Sequence, residues 1–385
     1  MSKRKICVAI TARPSYSRIR SALTALSDRN DVELQIVAAA SALLDRYGNA
    51  VNVIEQEGFR VDRHVYSILE GENLITSAKS TGIGLSEMAG VFADLAPDLV
   101  VTVADRFETM ATAVAAAYMN LPLAHVQGGE ITGSIDEKVR HAVTKLADLH
   151  LVASERAAER VIRMGERPEA VHVTGCPSID VAKAAIRDPR LESDLFERFG
   201  GVGPVFPLDQ GYIVVLQHPV TTEYGASRAH IGETLHAVAE VGLPTLWFWP
   251  NVDAGSDGTS KGIRGFRETH ALPKVHFFKN MPPEAFLRLL YNSRGIVGNS
   301  SVAIRECAYL GVPAVNIGSR QSGRDRGRNV IDVDYDRAEI AAAIRRQAER
   351  GRLPADLLYG DGTAGPRIAE LLAKAPLTIE KRLTY

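Results

Sequence analysis

At 385 residues the chain exceeds what one ordinary hydrophobic core supports, and a prior of about 150 residues per domain gives two or three units, with two the starting expectation. Hydrophobic residues make up 45% of the chain and charged residues 24%, which excludes disordered and fibrous classes and fits a soluble globular protein. A formal net charge of -1 gives no general attraction to nucleic acid or an anionic membrane, so neither is expected as a partner and any polyanion site has to be local.

The amino terminus runs from Lys5 straight into an apolar stretch. At about seven residues it is too short for a signal-peptide core with its cleavage site, or for a membrane span, so a cytoplasmic protein is expected. Cys7, Cys176 and Cys307 lie far apart, without disulfide-framework or metal-ligand spacing, and no cysteine chemistry is expected.

Short apolar runs at residues 6–10, 32–38, 99–103, 121–126 and 149–152 alternate with helical patterns. Continuous apolar strands separated by helices imply a parallel sheet covered on both faces, because each crossover lays a helix over the sheet. Residues 1–187 are therefore expected to form one doubly wound, Rossmann-like α/β domain. Between 188 and 210, Pro189, Gly200, Gly201, Gly203, Pro204 and Pro207 read as a linker or irregular crossing. The alternation restarts at 212–216, 245–249, 275–278, 295–297 and 314–317, which makes residues 211–385 a second doubly wound domain. A final helix near 366–374 is a candidate for packing back on the first domain. Ligands bind outside the carboxyl ends of parallel strands, so the active site is expected in a cleft that the two domains face.

The first strand ends in Thr11-Ala12-Arg13-Pro14-Ser15-Tyr16-Ser17-Arg18, a turn rich in hydroxyls and cations. Free N–H groups at a helix start beside a guanidinium suit a phosphate; a plain helix cap with a solvated arginine is the rival reading. The stretch lacks GxGxxG, which disfavours an ordinary nicotinamide site. The strand at 99–103 places Asp105 and Arg106 at the carboxyl edge of its sheet, where Asp105 suits a base or, equally, a cap for the next helix.

The strand at 121–126 leads into Gln127-Gly128-Gly129-Glu130 and then Asp136-Glu137, ahead of a helix carrying Arg140 and His141. Three carboxylates on one glycine-rich loop are hard to explain by packing. Crowded carboxylates repel, so one is expected to hold its proton as a general acid while another stays ionised as a base; a solvated loop is the bland alternative.

In the second domain His218, after a buried strand, suits a phosphate contact or proton shuttle, with a core histidine as the rival. Gly298-Asn299-Ser300-Ser301 reads as strand, tight turn and helix start, so Ser300 and Ser301 stand beside free N–H groups that favour a diphosphate. Glu306, one to two turns on, is placed to accept from ribose hydroxyls; an N-cap serine and an exposed glutamate would look the same. The loop from Gly318 to Arg328 carries Arg320, Arg324, Arg326 and Arg328, a cluster suited to a nucleotide diphosphate or to plain solvation.

These stretches together resemble the hydrolysing UDP-N-acetylglucosamine 2-epimerases, which have the glycosyltransferase-B architecture and open sialic acid pathways. The resemblance runs in order through ARPSYS, DRFET, QGGEITGSIDEKVRHAVTKLADLH, TGCPSID, QHPVTTE, PNVDAGSDG, GNSSVAIRE and NIGSRQSGRDRGRNV. It implies nucleotide contacts for Arg13 and Ser17, diphosphate contacts for His218, Ser300 and Ser301, and a ribose contact for Glu306. It adds Arg106, Gln127, Asn251, Asp253, Ser256, Arg320 and Arg324 to the nucleotide-sugar site, and catalytic work for Asp105, Glu130 and Asp136 or Glu137. In such enzymes a base removes the proton on sugar carbon 2, UDP leaves carbon 1 to give a glycal-like intermediate, and water adds to release N-acetylmannosamine.

That chemistry requires no metal or redox cofactor, and relatives imply a homodimer or homotetramer. Several relatives carry glutamate where this chain has Gln127, whose amide cannot transfer a proton; the role passes to Glu130, with Asp136 and Glu137 as rivals. A UDP-linked 2,4-diacetamido-trideoxyhexose or a GDP-linked sugar fits the same chemistry. The SIDEKVRHAVTK stretch resembles the hydrolysing branch more than the non-hydrolysing epimerases. A retaining glycosyltransferase would share the architecture, and a catalytically silent sugar-nucleotide binder is the non-enzyme alternative.

Overall fold

The computed structural model describes residues 3–45, 48–70, 74–132, 135–250 and 256–384. Its contacts divide the chain into two units: Met1–Glu130, Ile135–Asp180 and Gly360–Tyr385 form the first, Ile131–Ser134 and Val181–Tyr359 the second.

The first unit holds a seven-stranded parallel sheet of β1 (Arg4–Ile10), β2 (Val32–Ala39), β3 (Arg63–Val65), β4 (Leu99–Val103), β5 (Leu123–Val126), β6 (Leu149–Val152) and β7 (Val171–Val173), in the order β3-β2-β1-β4-β5-β6-β7. The second holds a six-stranded parallel sheet of β8 (Ile213–Leu216), β9 (Thr245–Phe248), β10 (Val275–Phe278), β11 (Gly295–Gly298), β12 (Ala314–Ile317) and β13 (Val330–Val333), in the order β10-β9-β8-β11-β12-β13. Both are α/β and doubly wound, as the alternation of apolar strands and helices implies. Each sheet reverses its winding once, between β1 and β4 and between β8 and β11; ligands bind outside the carboxyl ends at such a switch point.

Strand burial explains why the apolar runs are unbroken. Ile6, Val8 and Ile10 of β1 enter a core with Leu23 and Leu26 of the Arg20–Ser27 helix, whereas Cys7 and Ala9 enter the opposite core with Met88 and Phe92 of the Leu74–Leu95 helix. A strand covered on both faces has no solvated side to carry polar residues. In the second unit, Val214 and Val215 separate in the same way into two cores. Among the described residues no helix is long and apolar enough to cross a membrane.

Two segments bear on the domain bounds drawn from the sequence. The 188–210 stretch lies on the second unit: Leu195 of the Leu195–Phe199 helix is buried in its core, and Val202 forms an antiparallel bridge to Phe277. Gly201 and Gly203 take φ of 117° and 128° because any Cβ there would strike the backbone of β10, so these glycines serve close approach and not a free linker.

The second segment is the carboxyl-terminal helix Ala364–Lys374, whose Ile368, Ala369 and Leu372 share the first unit's core with Ala22, Leu23 and Leu26. Asp180 anchors its start by accepting from the backbone N–H of Ala364 at 2.9 Å and Gly365 at 2.6 Å, and from Ser21 Oγ at 2.8 Å. A Cβ on Gly365 would stand 2.5 Å from the Ser21 carbonyl carbon. We expect Gly365→Ala to destabilise the protein by about 2 kcal/mol, the cost of overpacking a tight helix contact. Thermal denaturation checks this, and an unchanged melting temperature would show that the helix shifts at no cost.

Candidate functional site

The first unit's candidate residues gather at the carboxyl ends of β1, β4 and β5. β4 ends at Val103, and Ala104 then takes a left-handed conformation, φ 67°, as does Gln127 after β5, φ 69°. Such a conformer costs a residue with a Cβ about 1–3 kcal/mol unless its surroundings hold it. Ala104 is held at both ends of its peptide units: its N–H donates to the Val126 carbonyl at 2.9 Å, and its own carbonyl faces His125 Nε2 at 2.8 Å. The turn delivers Asp105 to Arg140.

Arg140, on the Ile135–Leu146 helix, is 1% exposed. Its guanidinium donates to the Asp105 carboxylate, to Glu137 Oε2 at 2.9 Å and to the Glu130 backbone carbonyl at 2.8 Å. A buried guanidinium persists only where anions and acceptors surround it, so one cation ties these three positions together. Arg18 Nη1 stands 3.8 Å from Asp105 Oδ1, and His141 Nε2 lies 2.9 Å from Glu137 Oε1. Arg140 thus meets the carboxylates of Asp105 and Glu137, and of Glu130 its backbone carbonyl. Asp136 shares the first turn of the same helix and is half-buried.

The glycine pair of this loop has a packing reason. A Cβ on Gly128 would stand 2.9 Å from Thr144 Oγ1, and one on Gly129, φ 74°, would strike the Ala157 carbonyl. The loop thus lies directly on two helices, with Glu130 buried beneath it. Gln127 is buried too, its amide donating to Cys176 Sγ at 2.8 Å. Arg106 Nε pairs with Glu108 at 3.2 Å, and Glu108 also accepts from Ser41 Oγ at 3.0 Å.

After β1, the helix Arg13–Ser17 has only five residues and breaks before Arg20. So few aligned peptide dipoles weaken the reading of this helix start as a phosphate site. The side chains remain: burial lowers the pKa of Arg13, whose guanidinium lies against Gly48, and Ser17 Oγ donates to the Arg13 carbonyl at 3.3 Å.

The second unit's candidates flank its own switch point. Asn299 joins the ends of β8 and β11, accepting from the His218 N–H at 2.7 Å and donating to the His218 carbonyl at 2.9 Å. His218 is buried; burial first, then the charge of Arg320, holds its pKa well below the usual range, so it stands as a neutral imidazole at physiological pH.

Beyond Asn299 the expected continuous helix is broken. Ser300 Oγ accepts from Val302 N at 3.4 Å and caps a single 3-10 turn, Ser301–Ala303; a second short helix, Glu306–Leu310, follows. Glu306 therefore opens a helix instead of lying one to two turns inside one. Its Oε2 is buried with no hydrogen-bond partner among the described residues.

The arginine run does not form one patch. Arg320 Nη1 reaches the Asn299 carbonyl at 3.1 Å, Arg324 is buried, Arg326 pairs with Asp332 at 3.1 Å, and Arg328 is exposed. Only Arg320 meets the switch point through these contacts. Asn251 and Asp253 lie outside the described residues, and for Ser256 only the backbone at the start of the Ser256–Thr269 helix is described.

Sequence reasoning named Arg18, Arg140 and Asn299 without giving them work, and it passed over His125. Their signals were present: Arg140 is a cation amid acidic residues, Asn299 an amide closing an apolar strand, and His125 an imidazole inside a buried one.

With this geometry in hand, the likeness to known proteins is specific. A sequence profile described as UDP-N-acetylglucosamine 2-epimerase matches residues 24–373. A hydrolysing UDP-N,N'-diacetylbacillosamine 2-epimerase of Legionella pneumophila is 32% identical over 97% of this chain and 97% of its own. A UDP-N-acetylglucosamine 2-epimerase of Neisseria meningitidis is 29% identical over 96% of this chain and 95% of its own. The crystal structure of a Neisseria meningitidis UDP-GlcNAc 2-epimerase bound to UDP-GlcNAc shares the fold, with a TM-score of 0.80 at 18% identity over 96% of this chain and 99% of that one. Sequence and fold thus agree along nearly the whole length, and the chain belongs to the UDP-N-acetylglucosamine 2-epimerase family.

Proposed function

We propose that this chain is a hydrolysing 2-epimerase that converts UDP-N-acetylglucosamine and water to N-acetylmannosamine and UDP. The observation that carries the reading is the buried Arg140, which gathers Asp105, Glu137 and the Glu130 backbone at the carboxyl ends of β4 and β5. A weakly acidic C–H needs a fixed base, and a carboxylate held by a buried guanidinium is fixed. The hydrolysing activity named for the Legionella pneumophila relative supports the same reading.

Asp105 removes the proton from sugar carbon 2, and the electron pair forms the C1–C2 double bond as UDP departs with the glycosidic oxygen. Water then adds at carbon 1 while a proton returns to carbon 2 on the opposite face, giving N-acetylmannosamine. Glu130, buried in the loop, is assigned the returning proton, with Asp136 its rival; Glu137 is already engaged by Arg140 and His141. The neutral His218 donates to the diphosphate, with Ser300, Ser301 and Arg320 beside it, and Arg13 and Ser17 contact the nucleotide. Gln127, its amide turned to Cys176, acts as a support and moves no proton.

Glu306 accepts from the ribose hydroxyls, since its buried Oε2 fits a donor supplied by ligand. We expect Glu306→Gln to weaken UDP binding about tenfold, the cost of a hydrogen bond to a charged acceptor. Calorimetric titration with UDP reads this, and an unchanged dissociation constant removes the ribose role.

A proton NMR time course in deuterated water with UDP-N-acetylglucosamine tests the reaction. Free UDP and N-acetylmannosamine deuterated at carbon 2 are the expected products. Deuterated UDP-N-acetylmannosamine without UDP release would place the chain on the non-hydrolysing side. Untouched substrate would move the reading to UDP-linked 2,4-diacetamido sugars, which the name of the Legionella pneumophila relative favours.

A further inference from the structure

We propose that His125 is a positioning residue for Asp105: its Nε2–H donates to the Ala104 carbonyl and holds the left-handed turn that presents Asp105 to Arg140 and the sugar. The inference rests on the reading of Asp105 as the base.

The geometry allows one arrangement of protons. A carbonyl oxygen only accepts, so the 2.8 Å contact requires the proton of His125 on Nε2. Nδ1 is then an acceptor, and Thr144 Oγ1, 3.2 Å away, donates to it. His125 and Thr144 are both fully buried, so neither partner is exchanged for water. Burial, the largest influence, lowers the His125 pKa to about 4, which keeps the ring neutral and this tautomer in place across the physiological range.

Two contacts make this more than core packing. Ala104 carries a Cβ at φ 67°, a conformation it leaves unless its peptide units are held, and Asp105 follows immediately. Thr144 sits on the Ile135–Leu146 helix that carries Asp136, Glu137 and Arg140. The imidazole therefore bridges the turn bearing Asp105 to the helix bearing its guanidinium partner. Gly128 leaves the room, since a Cβ there would stand 3.0 Å from His125 Nδ1.

The test compares His125→Phe with His125→Gln. Phenylalanine keeps a planar ring without a donor, and glutamine carries an N–H the same number of bonds from its Cα as Nε2. We expect His125→Phe to lower kcat on UDP-N-acetylglucosamine by roughly 30- to 100-fold, the effect of misplacing a reacting group by about 1 Å. KM and the UDP dissociation constant should stay near wild type, and His125→Gln should recover most of the kcat. A Phe variant with wild-type kcat, or a Gln variant no better than the Phe variant, overturns the proposal. Should the Phe variant not fold, nitrogen-15 NMR of the wild-type imidazole decides: a proton on Nε2 at pH 7 supports it, and one on Nδ1 overturns it. Wild-type protein that turns over no UDP-linked amino sugar would sink the reading of the reaction, and the NMR tautomer would still judge the turn.

Discussion

Asp105→Asn lowers kcat by roughly 10²- to 10⁴-fold, the range over which a positioned proton-transfer group contributes, and leaves UDP affinity within about twofold because no nucleotide contact is assigned to it. Asparagine is nearly the same shape and keeps one acceptor oxygen for Arg140, so Arg140 is not left without a partner on that side. What it cannot do is take a proton from carbon 2. Steady-state kinetics and UDP calorimetry on the same preparation separate the two effects. In the companion variant Glu130→Gln, elimination still proceeds and reprotonation fails, so UDP and the glycal should appear ahead of N-acetylmannosamine. Equal kcat for Asp105→Asn and wild type would move the base elsewhere on the loop.

The central strands were legible because physics leaves them one composition. A strand such as Leu99–Val103, buried along its whole length, reads as an unbroken apolar run whatever its neighbours are. The edge strands Arg63–Val65, Val171–Val173 and Val330–Val333 escaped for the same reason reversed. They are short and partly exposed, and alternation in three or four residues does not stand out from loop sequence. The glycines at 201 and 203 could not separate a linker from an irregular crossing, because a glycine needed for close approach and one in a free linker look alike along the chain.

Part of the candidate site was legible as well, since ligand-binding residues collect after strands in a doubly wound sheet, which pointed to Asp105, His218 and Ser300. Arg140 could not be read as their organiser, because its partner Asp105 lies 35 positions away and on another element. Nor could the break after Ala303: nothing local in Ser300 to Leu310 forbids a continuous helix, and Gly311 in the left-handed conformation ends the second segment only at its far end. The sequence pattern assigns a residue to an edge, and tertiary contacts assign it a partner.

The largest stability effect is expected at Glu166, which pairs with Lys145 of the Ile135–Leu146 helix. Glu166 is 4% exposed and meets Lys145 at 2.5 Å, Lys381 at 2.6 Å and His150 Nε2 at 3.0 Å. Burial alone would raise its pKa, but hydrogen bonds from His150, Lys145 and Lys381 outweigh burial and bring it down to about 2. Because the folded pKa lies below the unfolded one, its stabilisation is fully present above the ordinary value of 4.5 and is lost as pH falls from there toward 2. The shift corresponds to about 3 kcal/mol. His150, whose pKa is lowered by burial, adds to the acid sensitivity from pH 6.5 downward.

The same carboxylate fastens the end of the chain. Lys381 also donates to the Thr144 and Ala147 carbonyls, and Thr384 bonds the backbone of Gly165 and Glu166. Glu166→Gln should therefore destabilise the protein by about 3 kcal/mol at pH 7, as breaking a buried ion pair does. The difference between wild type and variant should vanish as pH falls from 4.5 toward 2. The Thr384 amide, donor to Gly165, should exchange faster with solvent in the variant. Lys145 lies on the helix of Glu137 and Arg140, so a released tail should also lower kcat at unchanged UDP affinity. Denaturant midpoints at pH 7 and pH 3 check the ion pair, and a variant as stable as wild type at pH 7 would mean that the two lysines find equivalent partners without Glu166.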